Sequence, residues 1–440
     1  MASMAQRVGS LFYLVGPNTT TFRHQEDVPN YINEAVPVMT FLITLESIIH
    51  YLVGRPTRLN EAFSSMGLGI LHEATGFLSS WVVLLGYNWL YQYRLWDLPW
   101  DSPYTWFGAF IFVDFCYYWI HRANHELNIL WAVHQLHHSS EDFNLATSLR
   151  LSILQRAAHF GFYQPLALLG FPLPTVTVHV AFNYLFQFWV HTDFVGTLGP
   201  IGWVFMTPSY HRVHHGANKW CLDKNYASVF IIWDCIFGTF EPERENVEIV
   251  YGLTEQPQTH NVLWHEFFYF GMLYSKVRNM STWGDSLKAL FYGPGWSPGA
   301  PRLGDPSSFQ NVKAPRIKYN PQLPMWQVVY VYSHLLLALM AQQLLAAKYT
   351  AASWPTVLRF LAFIFMSVGV LSAMYDRWRW APVAEAARCA IYIAYAYNTF
   401  VTDILFIDTA LLVYFVMSML LWTTQSLGVL STHFKSNKLE

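Results

Sequence analysis

Long apolar runs recur along this chain, and they constrain its fold more than any other feature. A helix that crosses a bilayer needs about 20 mostly apolar residues in succession. Residues 36–53, a stretch within 63–91, and residues 104–120, 325–347, 356–374, 382–400 and 405–424 all come near that length. Composition points the same way: 12% of the 440 residues are charged, 53% are hydrophobic and 18% are aromatic. A soluble domain carries about 25% charged residues. Half that level leaves too little polar surface to keep so large a chain dispersed in water. The expected fold is therefore all-α, a multi-pass integral membrane helical bundle.

Two aromatic-rich segments, 157–169 and 175–190, are separated by Gly170, Phe171, Pro172, Leu173 and Pro174. They read as a short helical hairpin that dips into the bilayer and returns. Arg55 and Arg58 after the first span, and Asp376, Arg377 and Arg379 in a later loop, place those segments in the cytosol by the positive-inside rule. Residues 121–324, the hairpin apart, then fall on the cytosolic side. The first 30 residues lack a basic stretch, short apolar core and small-residue cleavage site, so membrane insertion is expected to rest on the first span. The organisation predicted is an N-terminal segment with two membrane helices (1–103), a catalytic core (104–250), a polar cytosolic cap lying on the membrane (251–324), and C-terminal membrane helices (325–440).

A net charge of −2 argues against a nucleic-acid partner, which requires a basic footprint. The four cysteines, Cys116, Cys221, Cys235 and Cys389, form no CxxC pair, so zinc-ribbon and disulfide frameworks have little support. The anomaly is 18 histidines in a chain this apolar, because histidine in lipid is costly unless it is used.

Eight of these histidines fall into three clusters. His121 and His125 are spaced i, i+4. His134, His137 and His138 follow an i, i+3, i+4 pattern, and His211, His214 and His215 repeat it. On a helix these offsets put side chains on one face with Cβ atoms about 5–6 Å apart, a suitable separation for imidazoles converging on a metal. One histidine at a membrane interface is usually structural, and one HxxxH pair can arise by chance. Three clusters on one predicted side of the membrane are not explained that way. Catalytic zinc takes three protein ligands, so this set exceeds one zinc ion, and the absence of thiolates excludes iron–sulfur sites. Imidazole suits iron, copper, nickel and zinc alike. Divided over two ions, the set leaves open positions for oxygen and water.

Further residues bear on the site. His191, at the mouth of the hairpin, is a candidate ninth ligand from a separate element. Glu126 follows His125, but Ile129 stands where an HExxH protease motif needs histidine. Glu126 then either orients an imidazole N–H, the usual role of a carboxylate beside a metal ligand and the reading its position favours, or faces outward from the helix. Asn144 either bonds a metal-bound water or caps a turn. His260 and His265, spaced i, i+5, are read as structural. His50, His72 and Glu73 lie in predicted spans and line a pathway or nothing. Phe160, Phe162, Tyr184, Phe186 and Trp189 are candidate walls of a groove for an alkyl chain, or plain lipid-facing residues.

His121-Arg122-Ala123-Asn124-His125, His134-Gln135-Leu136-His137-His138 and His211-Arg212-Val213-His214-His215 resemble the three histidine boxes of the fatty acid hydroxylase and sterol desaturase superfamily. The segments Asp223-Lys224-Asn225-Tyr226 and 232–242 are similar to the stretch downstream of the third box in that superfamily. The 138–144 and 209–216 segments, with the extra C-terminal membrane block, resemble the branch of the superfamily that oxidises ether lipids. That resemblance covers roughly residues 30–430. It implies a di-iron, non-haem site with the eight box histidines as ligands. It also implies O₂ and tetrahydrobiopterin as co-reactants and an endoplasmic reticulum membrane location. The implied reaction oxidises the ether-bearing carbon of alkylglycerols and their lyso-phospholipids. The rival within the superfamily is a sterol or sphingolipid hydroxylase fed by a b-type cytochrome; the chain carries no fused cytochrome domain or HPGG motif. A rival of another class is a metal or solute transporter, whose histidines belong at bilayer depth inside spans.

Overall fold

The computed structural model describes residues 4–436 apart from Phe160, Asn398, Phe400 and Asp403; inside two helices, the side chains of residues 79–84 and 429–436 are also left undescribed. Among the described residues the fold is helical, with two isolated bridges, Phe205–Phe230 and Gly216–Tyr251, and no strand. The chain divides into two compact units. The first comprises Met1–Pro257 and His265–Lys318, the second Gln258–Trp264 and Tyr319–Glu440.

Among the described residues, four helices are long and apolar enough to cross a membrane: Gln25–Leu52, Met325–Lys348, Trp354–Tyr375 and Leu405–Gly428. The protein is a membrane protein. Three other expected spans form helices of a different character. Leu59–Tyr91 carries Glu61, His72 and Glu73. Pro103–Glu126 buries Asp114, Tyr117, His121, Asn124 and His125 along its length, so much of its surface faces protein. Ala381–Ala396 has 16 residues, short of the roughly 20 that a span requires, and it buries Glu385 and Arg388.

Local chemistry sets the helix ends. Asn30 caps Tyr31–Leu52 by accepting from Asn33 N at 3.1 Å, which satisfies one of the amides every helix start leaves open. Pro103 and Pro355 sit in first turns, where the missing N–H costs nothing. Gly238 ends Ile232–Phe237 in the left-handed region, φ 74°, a conformation that penalises any residue with a Cβ.

The expected hairpin is half a hairpin. Its second arm is the helix Leu173–Trp189. Its first arm breaks into two single turns, Gln155–Ala158 and Gln164–Leu168. Pro165 and Gly161 interrupt it, and His159 and Gln164 are buried there with polar atoms that a lipid-facing helix could not carry. Gly170 turns the chain at φ 87°, where a Cβ would stand 1.9 Å from the Trp96 carbonyl oxygen.

Leu173–Trp189 is the central post of the first unit. Val178, Phe182, Leu185 and Phe188 pack with Leu11, Ala35, Val38 and Ile43. Val176 meets Val113, Cys116 and Ile120, and Phe186 joins Val190, Met206, Val229 and Ile231. The aromatic side chains proposed as groove walls are therefore protein-packed at Phe186, and partly so at Phe162 and Trp189. Tyr184 bonds His159 Nδ1 at 3.2 Å. Phe160 lies outside the described residues.

Candidate metal centre

Each histidine cluster sits at the C-terminal end of a helix. His121 and His125 occupy the last turns of Pro103–Glu126, and the second cluster closes Asn128–His138. The third closes Pro208–His214, whose start is capped by Thr207. His191 follows Leu173–Trp189. Helix C-termini carry partial negative charge that favours a nearby cation. The packing of these elements aims several such termini at one volume.

Nine buried imidazoles converge there in two groups. One holds His121, His125, His134, His138 and His214; the other holds His137, His191, His211 and His215. Within each group the ring nitrogens lie within 4.8 Å of one another. The groups adjoin where the rings of His138 and His215 stack with centroids 4.5 Å apart.

The protonation pattern tests whether a cation fits. His121 Nδ1 donates to Tyr226 O at 2.8 Å, His214 Nδ1 to Lys224 O at 2.8 Å, His137 Nδ1 to Arg150 O at 3.2 Å and His191 Nδ1 to Gln187 O at 2.6 Å. A carbonyl only accepts, so in each neutral ring the hydrogen is on Nδ1 and Nε2 is left with a lone pair. Those Nε2 atoms point inward. His137 Nε2 and His191 Nε2 are 3.3 Å apart with no hydrogen available to lie between them. His125 Nε2 and His214 Nε2 have no hydrogen-bond partner among the described residues although buried. Buried acceptors facing each other without donors are costly, and a cation between them removes the cost. Burial first, and repulsion among neighbouring rings second, hold His134, His138, His214 and His215 well below the ordinary histidine value, in the neutral form that binds metal. The residues fit a metal centre, and iron is among the ions that an all-imidazole donor set suits.

The groups that orient these rings are mostly backbone carbonyls. The loop providing Lys224 O and Tyr226 O holds Asp223 and Asn225 in the left-handed region, φ 59° and 55°. Asp234 fixes the loop by accepting from Tyr226 N and Ala227 N, each at 2.8 Å, and from Thr239 Oγ1 at 2.7 Å. Asn225 Nδ2 donates to Tyr210 O and Glu241 O. Arg150, which orients His137 through its carbonyl, is itself held by Glu61 at 2.7 Å and donates to Leu136 O at 3.2 Å.

For two candidate site residues the structure corrects the site role in favour of the other reading. Glu126 does not orient an imidazole: it pairs with Arg122 at 2.7 Å and Arg302 at 2.9 Å, because its position in the helix turns it away from the face that carries His121 and His125. The carboxylate beside the first cluster is Asp223, whose Oδ1 lies 3.5 Å from His125 Nδ1. Asn144 caps a turn, with its side chain accepting from Ala146 N at 3.1 Å at the head of a 3-10 helix. His72 donates to Ser152 O and Glu73 pairs with Arg156. His50 stands 3.2 Å from Asp193 and groups with Glu46. His260 and His265 belong to neither imidazole group. The orienting carbonyls were not visible in sequence, since any residue supplies one.

The fatty acid hydroxylase family matches residues 106–239, the stretch that carries all nine imidazoles. The alkylglycerol monooxygenase of Homo sapiens is 37% identical over 435 residues, 98% of this chain and 97% of that protein. That of Danio rerio is 39% identical, over 88% of this chain and 87% of its own length. An ornithine lipid hydroxylase of Rhizobium tropici is 30% identical over 34% of the chain and 46% of its own. No solved structure matches. Shared identity from end to end, and not only across the histidine-bearing domain, places this chain in the alkylglycerol monooxygenase family.

Proposed function

We propose that this chain is a tetrahydrobiopterin-dependent monooxygenase acting on the ether-bearing carbon of alkylglycerols and lyso-alkylglycerophospholipids, at a di-iron site held by its nine converging histidines. The observation that carries the metal reading is the approach of His137 and His191 through two Nε2 lone pairs, 3.3 Å apart. The substrate and the pterin rest on kinship with the alkylglycerol monooxygenases.

His121, His125, His134, His138 and His214 would hold one ion and His137, His191, His211 and His215 the other. When bound, iron supplies the oxidising power to insert oxygen from O₂ into a C–H bond, a step beyond any side-chain acid or base. The chain's own part is to hold and shelter. Carbonyls of Tyr226, Lys224, Arg150 and Gln187 keep four rings in the tautomer that offers Nε2. Phe143 packs its ring against His191, His211 and His215, with Tyr251 stacked behind it at 5.1 Å. That apolar face keeps bulk water from one side of the second group. Hydroxylation of the ether-bearing carbon gives a hemiacetal, which separates into a fatty aldehyde and a glycerol derivative.

In this reading residues 104–250 are the catalytic core, 1–103 and 325–440 anchor it, and 251–324 cap it at the cytosolic surface of the endoplasmic reticulum. Membranes containing the chain, given a 1-O-alkylglycerol, should release fatty aldehyde only with tetrahydrobiopterin. Turnover without pterin, or no turnover, overturns the substrate and cofactor reading. Purified chain should keep iron after a chelator wash, and stoichiometric zinc in its place overturns the metal reading.

A further inference from the structure

The second unit holds a half-open cavity of about 360 Å³, none of whose lining belongs to the histidine centre. It lies among Met325–Lys348, Trp354–Tyr375, Ala381–Ala396 and the helix beginning at Leu405, three of which have the length and apolarity of membrane spans. Most of its lining is apolar, including Leu337, Ala341, Phe363 and Phe415. The size is near the lower end for ligand pockets, which run about 300–1,000 Å³, and suits one chain rather than a two-chain lipid.

Polar groups line the cavity in two places: Arg359, exposed and set over the Tyr395 ring, and a buried cluster around Arg388. Arg388 and Tyr392 both line it and, at i, i+4, share a helix face. Arg388 is 1% exposed and forms a buried pair with Glu385, while its Nη2 also meets His334 Nδ1 at 2.9 Å. Glu385 cancels its charge. Arg388 Nη1 carries two hydrogens and has one partner among the described residues, Ser367 Oγ at 3.1 Å. Tyr392 is 8% exposed, stacks on Phe415 at 3.8 Å, and its hydroxyl has no hydrogen-bond partner among the described residues. Native structures leave few buried hydroxyls unpaired. Here one lies a single turn from a guanidinium with a spare N–H, in the wall of an apolar cavity.

We propose that this cavity binds a neutral single-chain lipid whose polar end is an acceptor oxygen, such as an aldehyde, ketone or ester carbonyl. The chain occupies the apolar lining, and the oxygen accepts from Tyr392 Oη and Arg388 Nη1. Beside Tyr392 the neutral Glu385–Arg388 pair gives a carboxylate no net charge to bind, so an acid would turn to the exposed Arg359 instead, and a plain hydrocarbon leaves the two donors unpaired. The inference does not depend on the substrate proposed above.

The test uses the full chain in lipid nanodiscs with a photoactivatable, clickable long-chain methyl ketone. Labelling is expected on the cavity-lining helices, with competition by unlabelled methyl ketone and not by the matching alkane. Tyr392→Phe removes one hydrogen bond, worth about 0.5–1.5 kcal/mol, so the ketone should compete roughly two- to tenfold more weakly. Ala341→Trp, which fills the cavity, should abolish labelling. Equal competition by ketone and alkane, or an unchanged Tyr392→Phe, overturns the proposal and leaves the cavity as packing space for membrane hydrocarbon. Tyr392→Phe is nearly isosteric, so it keeps the test decisive if Ala341→Trp fails to accumulate.

Discussion

The two units bury polar groups in opposite ways. In the first, nine imidazoles meet, and among the described residues His125 Nε2 and His214 Nε2 have no donor to answer them. In the second, Glu385 and Arg388 are both almost fully buried but answer each other, with Tyr330, Ser367 and His334 completing the set. Burial of ionisable side chains thus does not by itself mark a catalytic centre. What separates the two is which group is in surplus: in the second unit the charges cancel and the spare groups are donors, whereas buried acceptors in surplus call for a cation.

This contrast can be broken by mutation. The largest effect is expected at His138 or His215, whose replacement by alanine should cut activity by more than about 100-fold, since even the partners that orient metal ligands contribute 10–100-fold. Each variant should still accumulate in membranes, because alanine removes a surplus acceptor and leaves no charge unpaired. Retained activity would show that the ring is not a ligand. Glu385→Ala should do the reverse. Leaving Arg388 buried without its partner costs about 3–5 kcal/mol, so the yield of folded protein should fall while iron per surviving chain stays constant. Iron loss in that variant would mean the two networks are not independent.

Next in size is Asp234→Ala, which frees the loop supplying the Tyr226 and Lys224 carbonyls. It should lower iron retention or activity by about 10–100-fold, measured as metal content after dialysis. An unchanged metal content would argue that the rings orient themselves. The smallest effect is expected at Asn144→Ala. Loss of a helix cap costs about 1 kcal/mol, visible in a melting curve and not in turnover. A 100-fold drop in activity with unaltered melting would instead place Asn144 against a bound group.

How far sequence reaches can be judged from individual residues. His121, His125, His134, His137, His138, His211, His214 and His215 are legible because helical spacing is a local property, and four residues always make the same turn. His191 is legible only as a suggestion, since its place among the others depends on how Leu173–Trp189 packs. Glu126 shows the limit of adjacency. It neighbours a box histidine in sequence, yet its carboxylate pairs with Arg122 and Arg302, and Asp223, 98 positions beyond His125, comes closer to that ring. The span at 382–400 shows another limit. Its apolar length suggested a crossing, but hydropathy does not reveal that Glu385 and Arg388 face inward to each other.

Sequence alone therefore determined the membrane class, the helical fold and the residue types of the metal centre, because apolar length, helical period and ligand chemistry are written in neighbouring positions. Tertiary structure decided the rest. It divided nine imidazoles into groups of five and four, chose the carbonyls that fix their tautomers, and turned Glu126 away from them. Those outcomes depend on backbone atoms common to every residue and on contacts between distant segments, and neither leaves a mark on the identity of a single position.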